Sequence, residues 1–407
     1  MLQPVDEAIQ SLLKQAITAE QVIHVPVTEA CGHVLAEDIV SAIRVPPADN
    51  SAMDGYALRL EDAHQSNALP ISQRIPAGTP PEPLKAGTAA RIFTGAQVPA
   101  GADVVIMQEN AKVHDSSSTE DSVQFTQLPD SAGANIRRAG EDIETGATIL
   151  KSGTALRPQE TGLLASIGVA QVAVFKPVRV AVLSTGSELA EPGHPLLPGQ
   201  IYNSNRPMML SMLNAMGFEA IDAGICKDTL DGTKQALADA AKDVDVIITS
   251  GGVSVGDEDH VKAAVEALGE LNLWKVAIKP GKPFAFGKIA HQGHSAHFIG
   301  LPGNPASVFT TFLILARPFL MACQGKSSTG IVPIGVPAGF SRKAASRQEY
   351  LRVRVVDGKL ALFPNQGSGV LTSACWGEGF AIHRIGTEIT EGEQMDFVPF
   401  SALLSAH

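Results

Sequence analysis

Residues 249–260 read TSGGVSVGDEDH and carry two opposed chemistries side by side. Ser250, Gly251, Gly252 and Gly256 are small enough for backbone N–H groups to converge on an oxyanion. Asp257, Glu258 and Asp259 follow at once. At ~4 Å and an effective dielectric near 20, each carboxylate would repel a phosphate charge by roughly 4 kcal/mol, more than one loop amide returns. A divalent cation resolves the conflict, because Mg²⁺ takes one or two carboxylates and leaves its other positions to water and phosphate oxygens. On this reading the metal ligands are Asp259 and Asp228 of CKDTL, facing a phosphorylated ligand. The competing reading makes residues 257–259 caps of the next helix, favouring its positive end.

A second loop, STGSEL at 184–189, has the same order of groups: hydroxyls and amides from Ser184, Thr185 and Gly186, then the carboxylate of Glu188. The basic counterpart is WKVAIKPGKPFAFG at 274–287. A strand over 273–278 puts Lys275 and Lys279 on one face, where they repel each other unless an anion sits among them; solvated lysines at a strand end are the alternative. Between Leu271 and Gln348 there is no Asp or Glu, while nine Lys and Arg fall inside, from Lys275 to Arg347. In a chain of net charge −11 this is either a local anion field or a basic face balanced by acids elsewhere.

Other chemistries are disfavoured. No G-x-G-x-x-G follows a strand, and Gly281-Lys282 is followed by Pro283 rather than Ser or Thr, so neither a dinucleotide fold nor a P-loop is expected. His291, His294 and His297 of HQGHSAH have helical spacing for zinc, but Gly293 and the flanking strand-like segments favour an exposed hairpin loop. Cys31, Cys226, Cys323 and Cys375 lie far apart and read as free thiols. The acidic balance argues against nucleic acid and anionic membranes as partners. The apolar stretch 308–323 is interrupted by Arg317 and Pro318, and the N-terminus reads as an amphipathic helix rather than a signal peptide. A cytoplasmic protein is expected.

The 407 residues suffice for several domains. From 177 onwards strands alternate with helices, implying a largely parallel sheet whose ligands bind at strand C-terminal ends; the loop quoted first directly follows such a strand, 244–249. EYLRVRVVDGKLALFP reads as a hairpin turning at Asp357-Gly358. The expected fold is multidomain α/β plus β. A discontinuous helical and mixed domain (1–45 and 141–176) is interrupted by a β-rich insertion (46–140). A central α/β domain (177–326) and a small β-barrel-like domain (327–407) follow.

Nine stretches together resemble the molybdopterin molybdenumtransferase family, which also includes the C-terminal region of gephyrin. They are PPADNSAMDGYAL (46–58), RIFTGAQVPAGADVVIMQE (91–109), NIRRAGEDI (135–143), LSTGSEL (183–189), GQIYNSN (199–205), SGGVSVGDED (250–259), KPGKPFAFG (279–287), LPGNPAS (301–307) and PNQGSGVL (364–371). Ala48, Ser187 and His260 depart from residues common in the family. The resemblance implies an enzyme that takes adenylylated molybdopterin and molybdate, releases AMP and leaves molybdenum on the dithiolene sulfurs. It implies that Asp228, Ser254 and Asp259 serve Mg²⁺ and the adenylate, with Glu188 nearby, and that Lys275, Lys279, Arg352 and Ser368 hold molybdate. Pro302 and Ser307 of LPGNPAS join the substrate-binding set with Ser184, Thr185, Gly186, Ser250, Gly251 and Gly252. Asp54, Thr94, Arg137 and Asp142 match important insertion-domain positions, acting across a homodimer. Contacts with the adenylyltransferase or with apo-molybdoenzymes are further implied partners. The related adenylyltransferase activity and a gephyrin-like scaffold are the rival readings.

Overall fold

A computed structural model of the chain describes residues 2–18, 21–114, 121–252, 260–291 and 293–405. Backbone contacts group the chain into two compact units, Met1–Glu37 with Ser152–Thr161 and Gln171–His407, and Asp38–Lys151 with Gly162–Ala170.

The first unit opens with helix α1 (Val5–Leu13) and the antiparallel pair β1 (Val22–Pro26) and β2 (Gln171–Phe175). The alternation read from the sequence then appears as β3 (Arg179–Thr185), α2 (Asn205–Ala215), β4 (Glu219–Cys226), α3 (Leu230–Ala240), β5 (Val246–Ser250), α4 (His260–Leu268), β6 (Gly269–Lys275), β7 (Pro283–His291) and β8 (His294–Leu301). The strand order is β4-β3-β5-β8-β7-β6, parallel from β4 to β8, with β7 antiparallel to both its neighbours.

Strand β3 is apolar from Val180 to Leu183 because both its faces are covered there. Val180 and Val182 pack with Met209, Met212 and Leu213 of α2 and with Val5, Ala8 and Leu12 of α1. Ala181 and Leu183 pack on the other face with Leu237 of α3 and Val261, Ala264 and Val265 of α4. Burial of each such valine or leucine contributes roughly 1.5–3 kcal/mol. The chain thus leaves β3 over one face and β5 over the other. Adjacent strands whose connections depart in opposite senses leave a crevice at their C-terminal ends, where ligands of such sheets bind.

Helices α5 (Pro305–Thr311) and α6 (Arg317–Cys323) are joined through a π turn into a run of 19 residues, Pro305–Cys323. Among the described residues this is the one helical run long and apolar enough to cross a membrane, and it is almost wholly buried inside the fold. Arg317 is tolerated there because Nε donates to the Leu403 carbonyl and Nη1 to that of Thr329.

The C-terminal sheet is built from β9 (Ile334–Pro337), β10 (Gln348–Val356), β11 (Lys359–Leu362), β12 (Gly379–His383) and β13 (Gln394–Pro399). The order is β10-β12-β13-β9; on its other side β10 pairs with Ile278–Lys279 at its start and with β11 at its end, and a bridge from Ala338 to Leu360 closes the sheet like a barrel. Asp357 and Gly358 both have positive φ, as the expected hairpin turn requires.

One sequence expectation fails here. The strand holding Lys275 stops at that residue, and Ile278–Lys279 pairs instead with Gln348 and Glu349 in the C-terminal sheet. Between them Val276 N–H donates to the Lys282 carbonyl and Ala277 N–H to that of Gln3, so the backbone changes partners. Lys275 and Lys279 therefore do not share one strand face.

The second unit contains a six-stranded sheet ordered Val104–Met107, Gly55–Leu58, Ala89–Ile92, Leu69–Ile75, Ser122–Phe125 and Ala111–His114. Its core is formed by Tyr56, Leu58, Leu69, Val104, Ile106 and Val123 on one side, with Ala57, Ile75, Ile92 and Val105 on the other.

Candidate functional site

Strand register builds the site. Ser184 of β3 pairs with Ser250 of β5, and Ser250 with Leu301 of β8. The loops that follow therefore emerge side by side: Gly186 after β3, Gly251-Gly252 after β5, and Pro302-Gly303-Asn304 after β8. Thr185 also pairs with Cys226, which brings Asp228 to the same sheet edge as an exposed side chain. The antiparallel entry of β7 returns Lys282-Pro283 to this edge as well.

Lack of side chains lets these loops close up. Gly251 has φ +90° and Gly252 φ +66°, a backbone conformation that favours glycine. At Gly281 (φ +100°) a Cβ would stand 2.4 Å from Thr311 Cγ2. Above them is a cavity of about 410 Å³ whose lining includes Gly251, Gly252, Lys279, Gly281, Lys282, Pro302, Gly303, Asn304, Ser307, Arg347, Gly367 and Ser368. Three cations, glycine backbone and two hydroxyls, with no carboxylate among the described lining residues, make a surface for a compact anion. Beneath it, the Ser184 and Thr249 hydroxyls are buried without a hydrogen-bond partner among the described residues.

Lys279 separates this cavity from a neighbour of about 300 Å³, lined also by Arg342, Lys343, Ser346, Arg347 and Glu349. Glu349 is 5% exposed. Its Oε1 lies 2.5 Å from Lys279 Nζ, while its Oε2 accepts from Arg342 Nε at 2.8 Å and lies 3.4 Å from His383 Nδ1. Register explains the cluster, because Glu349 pairs with Lys279 on one side of β10 and with His383 on the other. Burial acts to raise the carboxyl pKa, but the hydrogen bonds and charges of Lys279 and Arg342 prevail and hold it at about 2.

Arg352, expected at the anion, is placed otherwise. It is 1% exposed and does not line the cavity. Nε donates to Ser373 Oγ, Nη1 to the Tyr350 carbonyl and Nη2 to the Gly367 carbonyl, and burial lowers its pKa to about 10. Gln366 is clamped to the Arg352 backbone at both ends of its amide. Arg352 thus holds the loop that presents Ser368, and the arginine on the cavity wall is Arg347. Lys275 does not line the cavity either.

Lys282 and Arg347 belonged to the acid-free cationic stretch but were assigned no place in the site, and Glu349 was not singled out. The signal for Glu349 was present, since it is the first acid after the acid-free stretch. Asn205 was also missed; its Nδ2 donates to the Gly303 carbonyl at 2.7 Å, while its Oδ1 is buried and has no partner among the described residues.

For a divalent cation, Asp228 and Glu188 are exposed carboxylates on loops from adjacent strands, whereas Asp259 and Ser254 lie outside the described residues. Among the described residues no three His, Cys, Asp or Glu side chains form a metal cluster. The all-oxygen donor set, with the unpartnered Ser184 and Thr249 hydroxyls at the same strand ends, fits an ion that keeps water and phosphate ligands.

In the second unit Asp54 Oδ1 accepts from both the N–H and the Oγ1 of Thr94, each at 2.7 Å. These two bonds, side-chain first, hold the carboxyl below its usual range. Arg137 and Asp142 are exposed side chains of the same unit.

Residues 3–168 match the model of the MoeA N-terminal region (domains I and II), 181–322 that of a probable molybdopterin binding domain, and 336–400 that of the MoeA C-terminal region (domain IV). A molybdopterin molybdenumtransferase of Haemophilus influenzae is 44% identical over 322 residues, 79% of this chain and 78% of the relative. One from Synechococcus elongatus is 35% identical over 395 residues, covering 94% and 95%. Among solved structures, the molybdopterin biosynthesis MoeA protein of Pyrococcus horikoshii OT3 superposes with a TM-score of 0.82 at 28% identity, covering 98% of this chain and all of the other.

Proposed function

Because the chain belongs to the molybdopterin molybdenumtransferase family, we propose that it inserts molybdenum from molybdate into adenylylated molybdopterin, releasing AMP and forming molybdenum cofactor. The observation that carries this reading is the cation-walled, glycine-lined cavity at the strand ends where the sheet connections diverge.

Molybdate is a tetrahedral dianion, which Lys279, Lys282 and Arg347 attract while loop amides and the Ser368 hydroxyl supply directed donors. Ser184, Thr185, Gly186, Ser250, Gly251 and Gly252 form the edge on which the phosphorylated part of the substrate rests, with Pro302 and Ser307 closing the other side. Holding the oxyanion beside the dithiolene makes the ligand exchange effectively intramolecular. Bound Mg²⁺, held by Asp228 and Asp259 with Ser254 and Glu188 nearby, would neutralise and polarise the phosphoanhydride that yields AMP. Lys275 acts from outside the described cavity. Asp54, Thr94, Arg137 and Asp142 contribute from the insertion domain.

The reading also includes the four-part domain division, a homodimer, work in the cytoplasm, and hand-over contacts with the adenylyltransferase or with apo-molybdoenzymes.

The test is to supply purified protein with adenylylated molybdopterin, Mg²⁺ and molybdate. AMP release with molybdenum transfer supports the reading; ATP consumption on plain molybdopterin points to an adenylyltransferase, and no turnover to a scaffold. Asp259→Asn should abolish AMP release in a folded protein, and wild-type turnover there would remove Asp259 from the mechanism.

A further inference from the structure

Lys279 and Arg347 both line both cavities, yet the Lys279 ammonium is already engaged by Glu349 at 2.5 Å. The carboxylate cannot swing away freely. It is 5% exposed, Arg342 Nε holds its second oxygen at 2.8 Å, and the backbone of β10 is fixed between Ile278–Lys279 and β12. The Lys279 side chain, by contrast, is 43% exposed, with room to leave.

We infer that Glu349 is a built-in counter-ion that sets the oxyanion affinity of the cavity: an incoming tetrahedral dianion must take Lys279 from it, and the carboxylate recaptures the lysine when the oxyanion leaves. This rests on the cavity's being an oxyanion site, and adds what limits its affinity. No bond is made or broken in the exchange; only the partner of the ammonium changes.

Two effects of Glu349 oppose each other. It orders the Lys279 side chain, which favours binding, and it repels the anion, which disfavours binding. At an effective dielectric of about 20, a carboxylate ~5 Å from a dianion repels it about three times as strongly as freezing one lysine side chain costs. Repulsion wins, so neutralising Glu349 must tighten binding. A residue that served only to hold the fold together would give the opposite sign.

The experiment is calorimetric titration of the full-length protein with molybdate, tungstate and sulfate at fixed pH and ionic strength, on wild type, Glu349→Gln, Glu349→Asp and Lys279→Ala, with circular dichroism to establish folding. Glu349→Gln should tighten all three anions at least tenfold, about 1.4 kcal/mol. Glu349→Asp, which draws the charge back by one methylene, should tighten them less, and Lys279→Ala should weaken them. Unchanged or weaker binding in folded Glu349→Gln overturns the inference. If that variant does not fold, the same result in Glu349→Asp overturns it. Lys279→Ala binding as tightly as wild type would instead remove the cavity reading beneath it, whereas loss in Lys279→Ala with no tightening in the Glu349 variants removes the counter-ion role alone.

Discussion

Nη2 of the buried Arg352 donates to the Gly367 carbonyl at 3.2 Å, a part-buried hydrogen bond that anchors the Ser368 loop to the C-terminal sheet. Arg352 and Arg347 are five positions apart but differ in environment: Arg352 is enclosed, while Arg347 stands on the cavity wall and donates Nη1 to the Ile278 carbonyl.

Replacing Arg352 by Leu leaves the Gly367 and Tyr350 carbonyls without their donor, at a cost of about 2–4 kcal/mol. Urea unfolding should show that loss, whereas Arg347→Ala should stay within about 0.5 kcal/mol of wild type. Oxyanion affinity, read by titration, should fall several-fold in Arg347→Ala. Equal stability of the two variants would contradict the assignment of Arg352 to loop support.

Gly281→Ala meets both a positive φ and Thr311 Cγ2. Thermal unfolding should show a loss of about 2 kcal/mol. Adding Thr311→Ser removes the clashing methyl but keeps the hydroxyl that donates to the Ser307 carbonyl, and should recover part of the loss.

His297 is 7% exposed, stacks on Phe286, and has no hydrogen bond at Nδ1 among the described residues. Burial, aided by the charge of Lys288, lowers its pKa from 6.5 to about 4. Between those values the unfolded chain binds the extra proton, so this contribution is complete above pH 6.5 and declines as pH falls towards 4. The imidazole should remain neutral by NMR at pH 5.5, and His297→Phe should flatten the stability profile in that window.

Glu349 gives the opposite kind of group and a lower window. Its folded pKa of about 2 lies below the ordinary 4.5, so its contribution is present above pH 4.5 and is lost as pH falls towards 2. The loss is on the order of 3 kcal/mol. Acid unfolding of Glu349→Gln should lack this component, and an acid limb identical to that of wild type would contradict the buried ion cluster.

The strand and helix alternation, the closing hairpin at Asp357-Gly358 and the two hydroxyl and glycine loops were legible in the chain, because they depend on local periodicity and turn chemistry. The family was legible too, through motifs spread along nearly the whole length. The pairing of the loops was expected only from fold class; the Ser184–Ser250 register supplies it.

Local pattern could not decide the identity of the charges. Lys275 and Lys279 read as one strand face until the backbone of Ile278–Lys279 turned to the C-terminal sheet. Arg347 and Arg352 were equal candidates by residue type; burial and three donated hydrogen bonds separate them. Glu349 stands 70 residues from the lysine it neutralises. Periodicity determines which side chains a strand or helix turns inward, whereas the partner of a charge depends on which distant strands come into register, and that is fixed only when the whole chain has packed.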